Sequence, residues 1–339
     1  NDETIKELRT IMETKGIKNA FTVLERLNSP HLEDDFHRFL VQHVVSGMTV
    51  TGLPEGQPTW KALRMTLFEI ALPEAHADDG NGRMKTLKEL ISAMEQFYSG
   101  MLSVEHADKS EPAYFTLELA VAVNSPTLQF YAAVPHGKKD LFEKQLLSIF
   151  PEARIAAQPN DYNVFTEDGV ALGSYATLKD RPMLPLKDYS EFDYDPLNAV
   201  LNAFAKMAPE GEGASLQILI SPRGDTYVHH YRRILAELRK GENRYRAFNL
   251  RETFAGDLAR EAIGLLGFSK KKLDPSQADK VAIEQMERKI SAPIVDTNIR
   301  IVVSSRDEVK AQSIRSELEA AFNQFENTIG NRLAFKEVA

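Results

Sequence analysis

Period-two alternation and helical periodicity succeed one another along this chain in an order that occurs twice: strand, helix, strand, strand, helix, strand. In the first pass, Phe68, Ile70 and Leu72 alternate with Leu67, Glu69 and Ala71, as in a strand with one buried face. Pro73 closes that strand. Residues 84–102 then place Leu87, Leu90, Ile91, Met94, Phe97, Tyr98 and Met101 along one side of a helix. Phe115, Leu117, Leu119, Val121 and Val123 alternate in a second strand, Asn124-Ser125-Pro126 signals a turn, and Leu128, Phe130, Ala132 and Val134 return. A helix from Lys138 to Phe150 carries Leu141, Phe142, Leu146 and Ile149, and Pro151 stops it. Residues 153–165 supply a last strand, interrupted at Pro159-Asn160.

The second pass opens with a strand over Val170 to Leu178. Asp195 and Pro196 then start a helix as cap and first helical residue, with Leu197, Val200, Leu201, Phe204 and Met207 as its apolar stripe. Leu216, Ile218 and Ile220 alternate, as do Ile299, Ile301 and Val303 much later. Ser305 to Glu308 has the spacing of a capping box before a helix with Ile314, Leu318, Phe322 and Phe325 inward; Leu333 and Phe335 close the pass. An insertion, residues 223–296, separates the two middle strands. It starts with a helix capped by Asp225, and further helical stretches are predicted at 250–266 and 276–290. Before both passes, residues 1–47 read as short helices, with Gly16 and Ser29-Pro30 as their boundaries, and 48–66 as a linker. The predicted class is therefore α+β. Residues 67–165 and 170–338 form two ferredoxin-like (βαββαβ) units, each a sheet with two helices on one face.

Composition narrows the function classes. The chain has 339 residues, 43% hydrophobic and 27% charged, with a net charge of -8. That charge argues against general coating of nucleic acid but leaves room for a local basic patch. With no cysteine, disulfides, thiol catalysis and Cys-ligated zinc are excluded. No apolar run approaches the roughly 18 residues of a membrane span. The chain opens on Asn1 and ends directly after a strand pattern, so a longer parent protein is expected.

Candidate chemistry is sparse. His136-Gly137-Lys138 lacks the upstream glycine and the hydroxyl of a phosphate loop. His31, His37 and His43 share a predicted helix with Asp34 and Asp35, but successive histidines are six apart and fall on different faces, so no metal site is predicted; His229 and His230 are adjacent and point apart. Phe130 and Tyr131 stand where ferredoxin-like sheets of RNA-recognition modules stack bases, without the basic-Gly-aromatic signature of those modules. The one charged feature is a basic stretch: Arg223, Arg232, Arg233, Arg239, Lys240, Arg244 and Arg246 against Asp225, Glu237 and Glu242. Its ordinary reading is a solvated helix face. Its functional reading is a phosphate or partner contact, shared with Lys270, Lys271 and Lys272. No catalytic set, cofactor or metal is predicted.

A set of segments carries a resemblance. These are Glu111 to Ala122, Leu128 to Pro135, Lys139 to Ala153, Asp161 to Phe165, Glu191 to Asn198, Asn298 to Val303 and Ala321 to Phe325. Together they resemble the region before the motor in type IV secretion and conjugation ATPases, in the form found in candidate-phylum bacteria. The resemblance covers about residues 65–339. It implies a non-catalytic assembly module that contacts secretion-channel proteins, neighbouring subunits of a homo-oligomer and its own RecA-like ATPase domain. It also implies a place at the cytoplasmic face of the inner membrane and a cargo of DNA or protein. The motor, with its phosphate loop, has no counterpart here, so no catalytic residue carries over. The alternative is a stand-alone nucleic-acid-binding protein that uses Arg223 to Arg246.

Overall fold

The computed structural model describes residues 2–46, 48–53, 61, 63–71, 87–106, 111–159, 161–241, 247–248 and 277–338. Three helices come first: α1 (Asp2–Lys15), α2 (Ile17–Leu27) and α3 (Pro30–Val45). They pack around their own core of Leu8, Met12, Leu24, Phe36 and Leu40. Gly16 sits between the first two at φ 88°, a setting that glycine adopts without strain. A Cβ there would stand 3.3 Å from the Thr51 carbonyl oxygen, which accepts the Ile17 N–H at 2.9 Å. Pro30 occupies the first turn of α3, where a missing N–H costs nothing.

The strands are β1 (Met65–Ala71), β2 (Phe115–Val121), β3 (Leu128–Pro135), β4 (Arg154–Ala157), β5 (Val170–Leu178), β6 (Glu212–Pro222), β7 (Val295–Ser305) and β8 (Leu333–Glu337). They form one sheet of eight in the order β4-β1-β3-β2-β6-β7-β5-β8, and every neighbouring pair is antiparallel. The fold is thus α+β. The two passes meet at β2 and β6, which pair from Phe115↔Ile220 to Val121↔Ala214.

One face of this sheet is apolar and covered by helices. Over the first half lie α4 (Leu87–Met101) and α5 (Lys139–Ile149), around Phe68, Phe97, Phe115 and Phe142. Over the second half lie α6 (Leu197–Ala205) and α9 (Glu308–Ala320), around Val200, Phe204, Leu216, Ile301, Ile314 and Leu318. Each core takes residues from the other half: Ile220 of β6 joins the first, and Leu119 and Val121 of β2 join the second. The insertion adds α7 (Thr226–Arg239) and α8 (Gln277–Lys289), packed through Tyr231, Ile234, Leu238 and Met286 against Met183 and Leu184. The helical stretch expected at 250–266 lies outside the described residues. No helix among the described residues is long and apolar enough to cross a membrane.

Several local expectations shift. The strand expected over 153–165 ends at Ala157, because Pro159 has no N–H to offer a ladder. The helix α6 begins at Leu197, one residue later than read; Asp195 still caps it by accepting the Leu197 N–H at 2.9 Å. At α9 the cap is Asp307, whose carboxylate accepts the Val309 N–H at 2.9 Å, while Ser305 Oγ accepts the Asp307 N–H at 3.2 Å. Asp225 holds the N-cap position of α7 without a side-chain cap bond.

Phe142 is fully buried, stacked on Phe68 at 5.3 Å and edge-on to Phe97 at 5.9 Å between ring centroids. Phe142→Ala is expected to cost about 3–5 kcal/mol, read as a lowered urea midpoint with unchanged slope. A loss below about 1 kcal/mol would show that this aromatic cluster is not packed as described.

Candidate functional site

The second face of the sheet is polar, and strand alternation puts its residues in register. A single row crosses seven strands: Glu69, Tyr131, Glu118, Gln217, Arg300, Tyr175 and Lys336, each the Cα partner of the next. Phe130 has the opposite parity and packs into the apolar cores, so of the two aromatics singled out in the sequence only Tyr131 belongs to this face.

Glu118 stands at the centre of the row and is 8% exposed. A buried carboxylate needs donors, and three surround it. Thr116 Oγ1 donates to Oε1 at 2.5 Å, Gln217 Nε2 donates to Oε2 at 3.2 Å, and the Tyr162 hydroxyl donates to Oε2. Tyr162 comes from the segment after β4, which turns back over this face. Its hydroxyl also lies 2.9 Å from Ser215 Oγ, and its ring stacks on Tyr131 at 4.5 Å. Burial, then the Glu118 charge, pushes the Tyr162 hydroxyl well above its ordinary range. Burial and the Glu69, Asp161 and Glu118 carboxylates push Tyr131 up to about 12. The crossing needs Gly213 of β6, where an added Cβ would collide with the Val164 carbonyl. It is fastened by Val123 N–H to the Asn163 carbonyl at 2.9 Å and by Thr166 N–H to Ser304 Oγ at 2.9 Å.

Helix α3 lies across the crossing segment, leaving a cleft of about 830 Å³ between helix and sheet. Its walls carry His37, Arg38 and Gln42 from α3, and Tyr114, Glu118, Asp161 and Arg300 from the sheet side. Gln42 Nε2 donates to the Pro159 carbonyl, which ties the helix to the segment. Arg38 is held at 3.1 Å from Asp34 and 2.8 Å from Asp35. Burial, helped by the Asp34 and Glu118 charges, pushes Asp161 up to about 7 against the pull of the Tyr162 N–H and Arg38. Burial likewise raises Asp34 and lowers His37. The three α3 histidines diverge: His37 lines the cleft, His43 is buried beside Phe39, and His31 lies 3.2 Å from Asp35. Among the described residues, no three His, Asp or Glu side chains gather as a metal-ligand set. The arrangement can bind and orient a polar ligand, with carboxylates, amides and guanidinium groups in one cleft.

The basic stretch lies elsewhere. Arg223 pairs with Asp296 at 2.6 Å, Arg239 with Glu287, and Lys240 with Glu237 at 2.8 Å. Arg232 is exposed and Arg233 half-buried on α7. Arg244, Arg246, Lys270, Lys271 and Lys272 lie outside the described residues. A second cavity of about 640 Å³ sits under α7, lined by Tyr227, His230, Tyr231, Lys289 and Asp296, where burial pushes Lys289 down to about 8. Gly137, weighed as a phosphate-loop remnant, gives its N–H to the buried Glu111 carboxylate at 3.0 and 3.1 Å. Sequence reasoning missed the cleft. Its legible signal was the polar residue at the middle of several strands, Glu69, Glu118, Gln217 and Arg300.

A family model described as Domain of unknown function (DUF8128) matches residues 74–336. No curated protein matches the chain.

Two outcomes test the geometry. Gly213→Ala is expected to cost about 1–3 kcal/mol by displacing the Val164 backbone, measured by urea unfolding; no change would remove the close crossing. Folded Asp161 keeps its proton to about pH 7, while an ordinary Asp loses it near 3.8, so folding takes up a proton between these values. Its contribution is complete below about pH 4 and lost as pH rises through 7. His37, held neutral by burial, slopes the opposite way, losing stability as pH falls below 6.5. The wild-type stability minus that of Asp161→Asn should therefore shrink by roughly 2–4 kcal/mol from pH 4 to 8. A difference that stays flat across that range would contradict the burial of Asp161.

Proposed function

Since the chain belongs to the DUF8128 family, a domain family of unknown function, we propose a role for it from the form of its sheet and the segments that carry its resemblance. It acts as a non-catalytic assembly and docking module of a type IV secretion or conjugation ATPase. It stands between the channel base, neighbouring subunits and a RecA-like motor. Its two passes are read as ferredoxin-like units, which the orders β4-β1-β3-β2 and β6-β7-β5-β8 support, since each has the first and third strands of its pass in the middle.

The observation that carries this reading is the continuity of the sheet across both passes. Eight strands at about 4.8 Å spacing make a plate roughly 34 Å wide. A docking module has to pass force from one partner surface to another without yielding. A hydrogen-bonded plate with helices fused to one face does so, because displacing either half breaks the β2–β6 ladder and both shared cores. The site at the membrane's inner face and the homo-oligomer belong to the same proposal and follow from the resemblance.

Chemical cross-linking and mass spectrometry on cells that make the protein are expected to join it to envelope-channel subunits and to a RecA-like motor. Cross-links confined to unrelated soluble enzymes, or ATP hydrolysis at motor-like rates by the purified chain, would overturn the proposal.

A further inference from the structure

The crossing segment and α3 cover the polar face over the first half and the centre, but the row continues beyond them. On β7, β5 and β8 it reaches Arg300, which also borders the cleft, then Tyr175 and Lys336, and all three are exposed. Tyr175 stands between the other two as the Cα partner of both, and it is 37% exposed. Its strand neighbours on the same face are Gly173, with the Val338 side chain beside it, and Thr177, and Ala334 lies diagonally on β8. On this face β7 carries Asp296, Asn298, Arg300 and Val302, β5 carries Gly173, Tyr175 and Thr177, and β8 carries Ala334 and Lys336. They include two cations and one carboxylate, Asp296 at the end of β7, which is paired with Arg223 at 2.6 Å. Glu337 points to the other face, where it pairs with Arg315. A second ring, Tyr114, lies within the electrostatic reach of Arg300, half-buried at the lip of the cleft.

We infer that this surface binds single-stranded nucleic acid, with an unpaired base stacked on Tyr175 and phosphates held by Arg300 and Lys336. The chemistry selects the occupant. An exposed tyrosine one strand in from the sheet edge offers a stacking face to an unpaired base; in a duplex the base faces are already stacked. The flanking guanidinium and ammonium groups supply the sequence-independent attraction to phosphate. The surface is distinct from the Arg223 to Arg246 stretch, where Arg223, Arg239 and Lys240 are paired with carboxylates. The inference stands independently of the docking role, since it rests on these strands alone.

Fluorescence anisotropy with labelled oligothymidylate and oligouridylate of roughly twenty nucleotides tests it, enough to span one stacking platform. Saturable binding of either at low salt is expected, with a log–log salt slope near about -1.4 for two phosphate contacts. Tyr175→Ala is expected to weaken binding about tenfold, the loss of one stacked base, while Tyr175→Phe stays within about twofold and reports that the fold is intact. Arg300→Gln together with Lys336→Gln should flatten the salt slope. Binding unchanged in Tyr175→Ala, absent at low salt, or competed equally well by a blunt duplex would overturn the inference. So would binding abolished by Arg232→Glu with Arg233→Glu but indifferent to Tyr175.

Discussion

The antiparallel pairing of β2 with β6 is the constraint on which the rest of this structure depends. Each strand is the outer edge of its own pass, and an exposed edge presents a row of unpaired N–H and C=O groups. Joining the two edges satisfies both rows from Phe115↔Ile220 to Val121↔Ala214. The same joint lets apolar residues of one half complete the core of the other, as Leu119, Val121 and Ile220 do. It also sets Glu118 beside Gln217, so the polar residues of both passes fall into one line.

That line explains the asymmetry of the second face. A carboxylate at the centre of a sheet is costly unless donors converge on it, and Thr116, Gln217 and Tyr162 do so. Tyr162 arrives only because the chain after β4 leaves the sheet and runs back over it, close enough to β6 to require Gly213. The returning segment is in turn the surface on which α3 rests, through Gln42 and the Asp34–Arg38–Asp161 group rather than through a shared apolar core. The N-terminal helices keep a core of their own. Beyond the segment's reach, Tyr175 and its charged neighbours stay in solvent, and a plate with one such face open is suited to holding partners.

Much of the fold was legible from the chain, for definite reasons. Alternation such as Phe115, Leu117, Leu119 and Val121 identifies a half-buried strand wherever it occurs, and helical stripes such as Val200, Phe204 or Ile314, Leu318 identify the covering helices. What alternation does not encode is which strand lies next to which, so two passes were readable and their common sheet was not. The return of the chain after β4 falls within the strand expected over 153–165, interrupted at Pro159-Asn160. Pro159, and the side chains of Asp161 and Asn163 bonded to nearby backbone N–H groups, turn it instead. The cleft was out of reach because its walls come from residues more than a hundred positions apart, as with Gln42 and Pro159. The basic stretch looked more positive than it is for the same reason: Asp296 and Glu287, the partners of Arg223 and Arg239, are 73 and 48 positions distant.

Amide hydrogen exchange in the native protein tests the shared sheet most directly. With β2 and β6 paired, the slowest amides of residues 115–121 and 212–222 should exchange with one common free energy, equal to that of global unfolding. Exchange of 115–121 and 212–222 at two different and lower free energies, each matching the opening of its own half, would show two sheets that merely touch and would contradict the continuous plate.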